Sequence, residues 1–206
     1  MEILKKIIIV FVILLFGATG TYAQENVLNA FTESYKLERE GKNKEALAEL
    51  KKVYNENSYE INLRLGWLAY LSGQFTESVS YYNNAISKFP LSVEARLGLV
   101  LPLSAMGNWD QIIEQYNTIL KVDPKNTIVN YRLGVIYYER KQYDKAEKYL
   151  KKVIDLYPFD HDTLLMLGWV KFQQGDNKQA GILFNKALLA NPSDDSAREG
   201  LSLIHR

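Results

Sequence analysis

Cysteine is absent from the 206 residues, which excludes disulfides, thiolate metal sites, a cysteine nucleophile and the lipid-modified cysteine of bacterial lipoproteins. Histidine is almost absent too. His205 stands alone, and His161 sits in Asp160-His161-Asp162 just after Pro158. Three consecutive side chains converge poorly on one ion, whereas aspartates suit the first turn of a helix through capping and the helix dipole. That trio therefore reads as the start of a helix. Also missing are a G-x-S-x-G elbow, a P-loop, an H-E-x-x-H pair and a calcium loop, the usual marks of hydrolase, nucleotide and metal chemistry. We assign no catalytic residue, no metal ligand and no cofactor, and the expectation is a protein that is not an enzyme.

Charge of one sign is lacking as well. The net charge is +1, and removing residues 1–23 takes away Lys5, Lys6 and Glu2, leaving a balance of zero. Nothing electrostatic asks for nucleic acid or an anionic membrane. The Lys-rich stretch Lys141, Lys145, Lys148, Lys151 and Lys152 is interleaved with Asp144, Glu147 and Asp155, so it reads as a solvated helix face carrying i, i+4 pairs.

What is present begins at the N-terminus. Lys5-Lys6 precede an apolar run from Ile7 to Phe16, and Thr21-Tyr22-Ala23 places small residues three and one before Gln24. That is the pattern of a secretion signal cut after residue 23. The apolar run is short of the ~20 residues that span a bilayer, so the expectation is an exported protein, periplasmic or secreted, with no stable membrane span after cleavage. The alternative is a membrane anchor formed by the uncleaved segment.

The rest of the chain repeats. Pro90, Pro124, Pro158 and Pro192 are spaced 34 residues apart, and Leu65-Gly66, Leu99-Val100, Leu133-Gly134 and Leu167-Gly168 keep that spacing. Turn signals follow at Gly73, Gly107, Lys141 and Gly175, then Ser78, Ile112, Ala146 and Ala180, then Tyr82, Tyr116, Leu150 and Phe184. Small residues let helices approach and large ones fill the gap between them, and each proline stops a second helix. Each period is thus a helical hairpin that buries its apolar face only by stacking on its neighbours.

These columns closely resemble the tetratricopeptide repeat family, best through Leu133-Gly134, Tyr137, Ala146 and Pro158, and again through Leu167-Gly168, Ala180, Phe184, Ala187 and Pro192. The resemblance implies an all-α fold, a right-handed superhelical solenoid of about five hairpins plus a C-terminal capping helix. The repeat domain would span 24–206 behind the signal at 1–23, with units near 27–58, 59–92, 93–126, 127–160 and 161–194 and a closing helix at 195–206. The first unit, with Gly41 and Ala46 but no Leu-Gly pair, departs from the pattern. The third carries Val100 in the glycine column and Pro102 within a helix, four residues after Gly98, which predicts a kink that glycine would ease.

A second apolar stripe runs along each first helix. Leu63, Trp67 and Tyr70 follow i, i+4, i+7, about 120° round from Asn62, Leu65, Gly66 and Ala69. It recurs as Leu97 and Leu101 with Ser104, as Tyr131, Val135 and Tyr138, and as Leu165, Trp169 and Phe172, with Phe31, Tyr35 and Glu38 before them. The family resemblance makes this stripe the lining of a concave face that holds peptides or partner helices. Exposed aromatics are efficient binding anchors, and Arg64 and Arg132 beside them are candidates for pairing a carboxylate. The family's own tryptophan column holds Asn62, Arg96, Asn130 and Leu164 instead, while Trp67 and Trp169 follow their glycines. The carboxylate clamp of the family's chaperone-tail receptors is missing, since Leu63, Trp67, Tyr131 and Trp169 stand where it needs polar groups.

The expected function is therefore an exported scaffold that holds a mainly apolar peptide or protein segment, in the assembly of a cell-envelope complex, as a monomer or weak homo-oligomer. One alternative is a structural or oligomerisation module anchored in an envelope assembly, whose rings pack between successive first helices. Another is a carbohydrate binder using Trp67 and Trp169 as platforms.

Overall fold

The computed structural model describes residues 24–204, so the predicted signal segment lies outside the described residues. All regular structure among them is helical: α1 (24–39), α2 (Asn43–Lys51), α3 (Tyr59–Leu71), α4 (Phe75–Lys88), α5 (Val93–Ala105), α6 (Trp109–Val122), α7 (Thr127–Glu139), α8 (Tyr143–Ile154), α9 (His161–Gln173), α10 (Asn177–Ala190) and α11 (Asp195–Ile204). None is long and apolar enough to cross a membrane. The chain forms two compact units that divide between Ile112 and Ile113. In the first, α3 packs on α2, α4 and α5; in the second, α9 packs on α7, α8, α10 and α11. The fold class is the all-α solenoid of helical hairpins.

A column of polar caps starts α3, α5, α7, α9 and α11. Ser58, Ser92, Asn126, Asp160 and Asp194, spaced 34 residues apart, accept from the backbone N–H of Ile61 (3.3 Å), Ala95 (3.0 Å), Val129 (3.0 Å), Thr163 (3.0 Å) and Ala197 (2.7 Å). Each satisfies a donor that the first turn leaves without an intrahelical partner. The first four of these helices stop in left-handed turns, at Gly73, Gly107 and Gly175 with φ of 74°, 73° and 80° and at Lys141 with φ of 58°. A hydrogen bond reaching five residues back closes each of these turns, for example Gln142 N–H to Tyr137 C=O at 2.8 Å.

The glycine column has a direct steric cause. A Cβ on Gly66 would stand 2.9 Å from Tyr82 Cδ2, one on Gly134 2.5 Å from Leu150 Cγ, and one on Gly168 2.6 Å from Phe184 Cε1. Two of those rings meet a second glycine sixteen residues further on. A Cβ on Gly98 would be 2.2 Å from Tyr82 Cε1, and one on Gly200 2.4 Å from Phe184 Cε2. Tyr82 and Phe184 are thus each held between two helix backbones. Gly98 admits the Tyr82 ring, a packing role that the sequence alone did not suggest. The helix α5 runs on through Pro102, which is buried, and the Pro102 carbonyl accepts from Met106 N–H at 3.1 Å. Ser78, in the small-residue column, donates to the Gly66 carbonyl at 2.7 Å and ties α4 to α3.

Polar residues in place of the family tryptophan also have a job. Asn62 Nδ2 donates to the carbonyls of Asn55 (3.2 Å), Glu56 (3.1 Å) and Ser58 (2.7 Å), and Asn130 Nδ2 to those of Pro124 (3.2 Å) and Asn126 (2.8 Å). Arg96 reaches the Pro90 carbonyl at 2.8 Å and Arg198 that of Pro192 at 2.5 Å. These side chains satisfy carbonyls in the loops between hairpins, three of which carry the repeated proline.

Candidate binding surface

In the first unit the stripe occupies α1, α3 and α5. Tyr35 is 47% exposed, and Phe31, Leu63, Trp67, Tyr70, Leu97 and Leu101 are half-buried. Aromatic contacts join them locally: Phe31 to Tyr35 at 6.4 Å between centroids, Trp67 to Tyr70 at 5.8 Å, and Tyr70 to Phe75 at 5.9 Å.

Arg64 sits differently from the rest, at 7% exposure. Its guanidinium pairs with Glu38 Oε2 at 2.6 Å, lies 3.7 Å over the Tyr35 ring and reaches Ser34 Oγ at 3.4 Å. Glu38 Oε1 accepts from Trp67 Nε1 at 2.6 Å. Burial pushes the Glu38 carboxyl up, but the hydrogen bonds from Trp67 and Arg64 outweigh it and hold the group below the usual carboxylate range. The carboxylate that Arg64 pairs is therefore internal.

In the second unit Tyr131, Val135 and Tyr138 on α7 and Leu165, Trp169 and Phe172 on α9 are half-buried, while Arg132 is exposed. Trp169 Nε1 donates to Ser196 Oγ on α11 at 2.9 Å, and its ring meets Phe184 edge-on at 5.1 Å and Phe172 at 5.8 Å. Tyr138 lies 5.7 Å from Tyr143. Burial first, and then the charge of Asp162, push the Tyr131 phenol up. Both indoles thus tie their helix to another first-type helix, α3 to α1 and α9 to α11, and keep part of the ring at the surface.

Tyr131 and Arg132 also line a cavity of about 400 Å³ with Val153, Tyr157, Asp160 and Asp162. In the first unit a cavity of about 480 Å³ lies at Tyr59, Phe89, Pro90, Leu91 and Ser92. The sequence reading missed the apolar residues flanking two of the four prolines, Phe89 and Leu91 and then Tyr157 and Phe159. All four are exposed. Comparing the proline loops would have found them, because the other two read Asp123-Pro124-Lys125 and Asn191-Pro192-Ser193.

His161 Nδ1 lies 2.9 Å from Asp162 Oδ1 and Nε2 2.9 Å from Asp194 Oδ2, which fastens the start of α9 to the cap of α11. Among the described residues no group of three or more acidic or histidine side chains is placed to hold a metal.

Profiles of the tetratricopeptide repeat match residues 61–92, 129–160 and 161–194. A BBSome complex member from Bos taurus is 27% identical over 135 residues, covering 66% of this chain and 26% of that protein. The chain thus spans about a quarter of that relative's length. Among solved structures, a tetratricopeptide repeat protein from Parabacteroides merdae superposes with a TM-score of 0.77 at 19% identity, over 88% of this chain and 73% of that one. MamA from Desulfovibrio magneticus gives 0.71 at 21% identity, over 82% and 97%. At these identities the structural likeness establishes the fold.

Proposed function

Since the chain belongs to the tetratricopeptide repeat family, a fold that serves as a protein-interaction scaffold, we propose that it is an exported, non-enzymatic scaffold holding a mainly apolar peptide or protein segment along the first-helix stripes. The observation that carries this reading is the stripe itself. On α7 and α9, Tyr131, Val135, Leu165 and Phe172 stay half-buried in a folded unit, leaving apolar surface of the kind that partners cover. Export is supported by the pattern of Lys5-Lys6, the apolar run and Ala23, and assembly of an envelope complex follows as the setting for such a scaffold.

The test is affinity capture from the native envelope with wild type, Tyr35→Ala and Phe172→Ala, each checked for unchanged thermal unfolding. Loss of the same captured protein from both stable variants supports the reading, and capture that is indifferent to both refutes it.

One observation favours the alternative of a structural module. The Trp67 and Trp169 indole N–H groups are spent on Glu38 and Ser196, so part of the aromatic stripe serves helix-to-helix packing. Light scattering on the purified protein separates the readings, since a discrete stable oligomer is expected only of the module.

A further inference from the structure

The cavity of the second unit has walls of opposite charge. Asp160 and Asp162 border it at the start of α9, Arg132 borders it from α7, and Tyr131 and Tyr157 supply aromatic surface. Its volume, about 400 Å³, falls within the roughly 300–1,000 Å³ of ligand sites. Asp160 spends Oδ1 on the Thr163 N–H and hydroxyl, and Asp162 directs Oδ1 at His161, so both carboxylates are fixed by the helix start rather than free to leave. Asp162 acts on the Tyr131 phenol in one direction and Arg132 in the other, as expected of a small site with an acidic and a basic side.

An uncharged occupant would strip water from these charges without replacing it, which is unfavourable. A lone cation would meet Arg132, and a lone anion the two aspartates. An occupant bearing both signs satisfies both walls, and its cationic end gains further from the faces of the tyrosine rings.

We propose that this cavity is a subsite for a dipolar stretch of a partner segment, with a basic side chain seated against Asp160 and Asp162 beside Tyr131 and Tyr157, and a neighbouring acidic side chain on Arg132. The proposal rests on the stripe reading, because Tyr131 and Arg132 belong to both. It adds polarity: the order of the two charges fixes which way the segment runs along α7 and α9.

The experiment titrates capped tetrapeptides into the isotope-labelled full chain and follows amide shifts by NMR. The probes are acetyl-Gly-Lys-Glu-Gly-amide and its two single-charge versions, with Gln for Glu or Gln for Lys. The expected result is a saturable shift at the amides of Thr127, Tyr157 and Thr163 that weakens with salt and is about two- to five-fold tighter for the doubly charged peptide, the range that one exposed ion pair supplies. Arg132→Gln should abolish the preference for Glu over Gln, and Asp162→Asn should reduce that for Lys over Gln. Both positions are exposed, and the spectrum itself reports whether the fold is kept. Absent shifts, or shifts blind to charge, overturn the subsite and leave the stripe standing, because Tyr35 and Phe172, which test the stripe, do not line the cavity.

Discussion

Two glycine-to-alanine changes, identical in chemistry and both inside helices, should alter stability in opposite directions. Gly181 lies in α10, and a Cβ there meets nothing nearer than Ile204 Cδ1 at 3.9 Å. Alanine should therefore deliver its helix advantage, about 0.5–1 kcal/mol. Gly98 lies in α5, where the same Cβ would stand 2.2 Å from Tyr82 Cε1, 2.6 Å from Cζ and 2.9 Å from the hydroxyl. Carbon atoms settle at about 3.5–4.0 Å, so something must move by more than an ångström. The ring has nowhere to go, because its other face is 2.9 Å from where a Gly66 Cβ would be. Overpacking of this kind costs about 1–3 kcal/mol; with the upper end appropriate here and the helix advantage subtracted, the net loss is about 2 kcal/mol. Tyr82→Leu should restore part of it, since Leu150 and Met166 already occupy the equivalent positions two hairpins on. Urea unfolding followed by circular dichroism at 222 nm, a wavelength that reports helix, measures all four proteins. If Gly98→Ala raises the midpoint as Gly181→Ala does, the argument that paired glycines admit the ring is wrong.

Other outcomes follow from single features. Lys141 occupies with φ of 58° the turn position that glycine holds in the neighbouring hairpins, so Lys141→Gly should stabilise by about 1 kcal/mol, read as a higher urea midpoint. Ser92→Ala removes both the cap on Ala95 N–H and the 2.8 Å contact with the Tyr59 hydroxyl, and should destabilise by about 1–2 kcal/mol. For Glu147, burial pushes the carboxyl up, but Lys151 (2.7 Å), Lys171 (2.6 Å) and Gln174 (3.1 Å) prevail and bring it down to about 2. Because the folded value lies below the unfolded one, this stabilisation is complete above about pH 4.5 and is lost as the pH falls towards 2. Discounted for its partial exposure it amounts to about 1–2 kcal/mol, and Glu147→Gln should flatten the acid limb of a stability-versus-pH curve by that amount.

These cases separate what periodicity can reveal from what it cannot. The all-α class was legible because Pro90, Pro124, Pro158 and Pro192 and the glycine column repeat in both residue type and spacing. The cap column repeats only in spacing, passing from serine through asparagine to aspartate, and Gly98 and Gly200 share a column whose intervening members are Arg132 and Met166, so each glycine is explained only by its partner sixteen residues earlier. Neither stands out unless side-chain chemistry is grouped or pairs of positions are compared. The surroundings of the proposed binding stripe were less legible still. Trp67 reaches back 29 residues to Glu38, across the irregular first unit, while Trp169 reaches forward 27 residues to Ser196. No common offset links the two, so the repeat places both rings on one helix face but says nothing about the atoms that engage their N–H groups. The same holds for the two arginines, which the stripe pattern treats as equivalents. Glu38 on α1 neutralises Arg64 inside the first unit, whereas Arg132 is left at the mouth of a cavity. A charge available to a partner is decided by one acidic residue on the preceding first helix, Glu38, which stands at the stripe position that later hairpins fill with Tyr70, Tyr138 and Phe172.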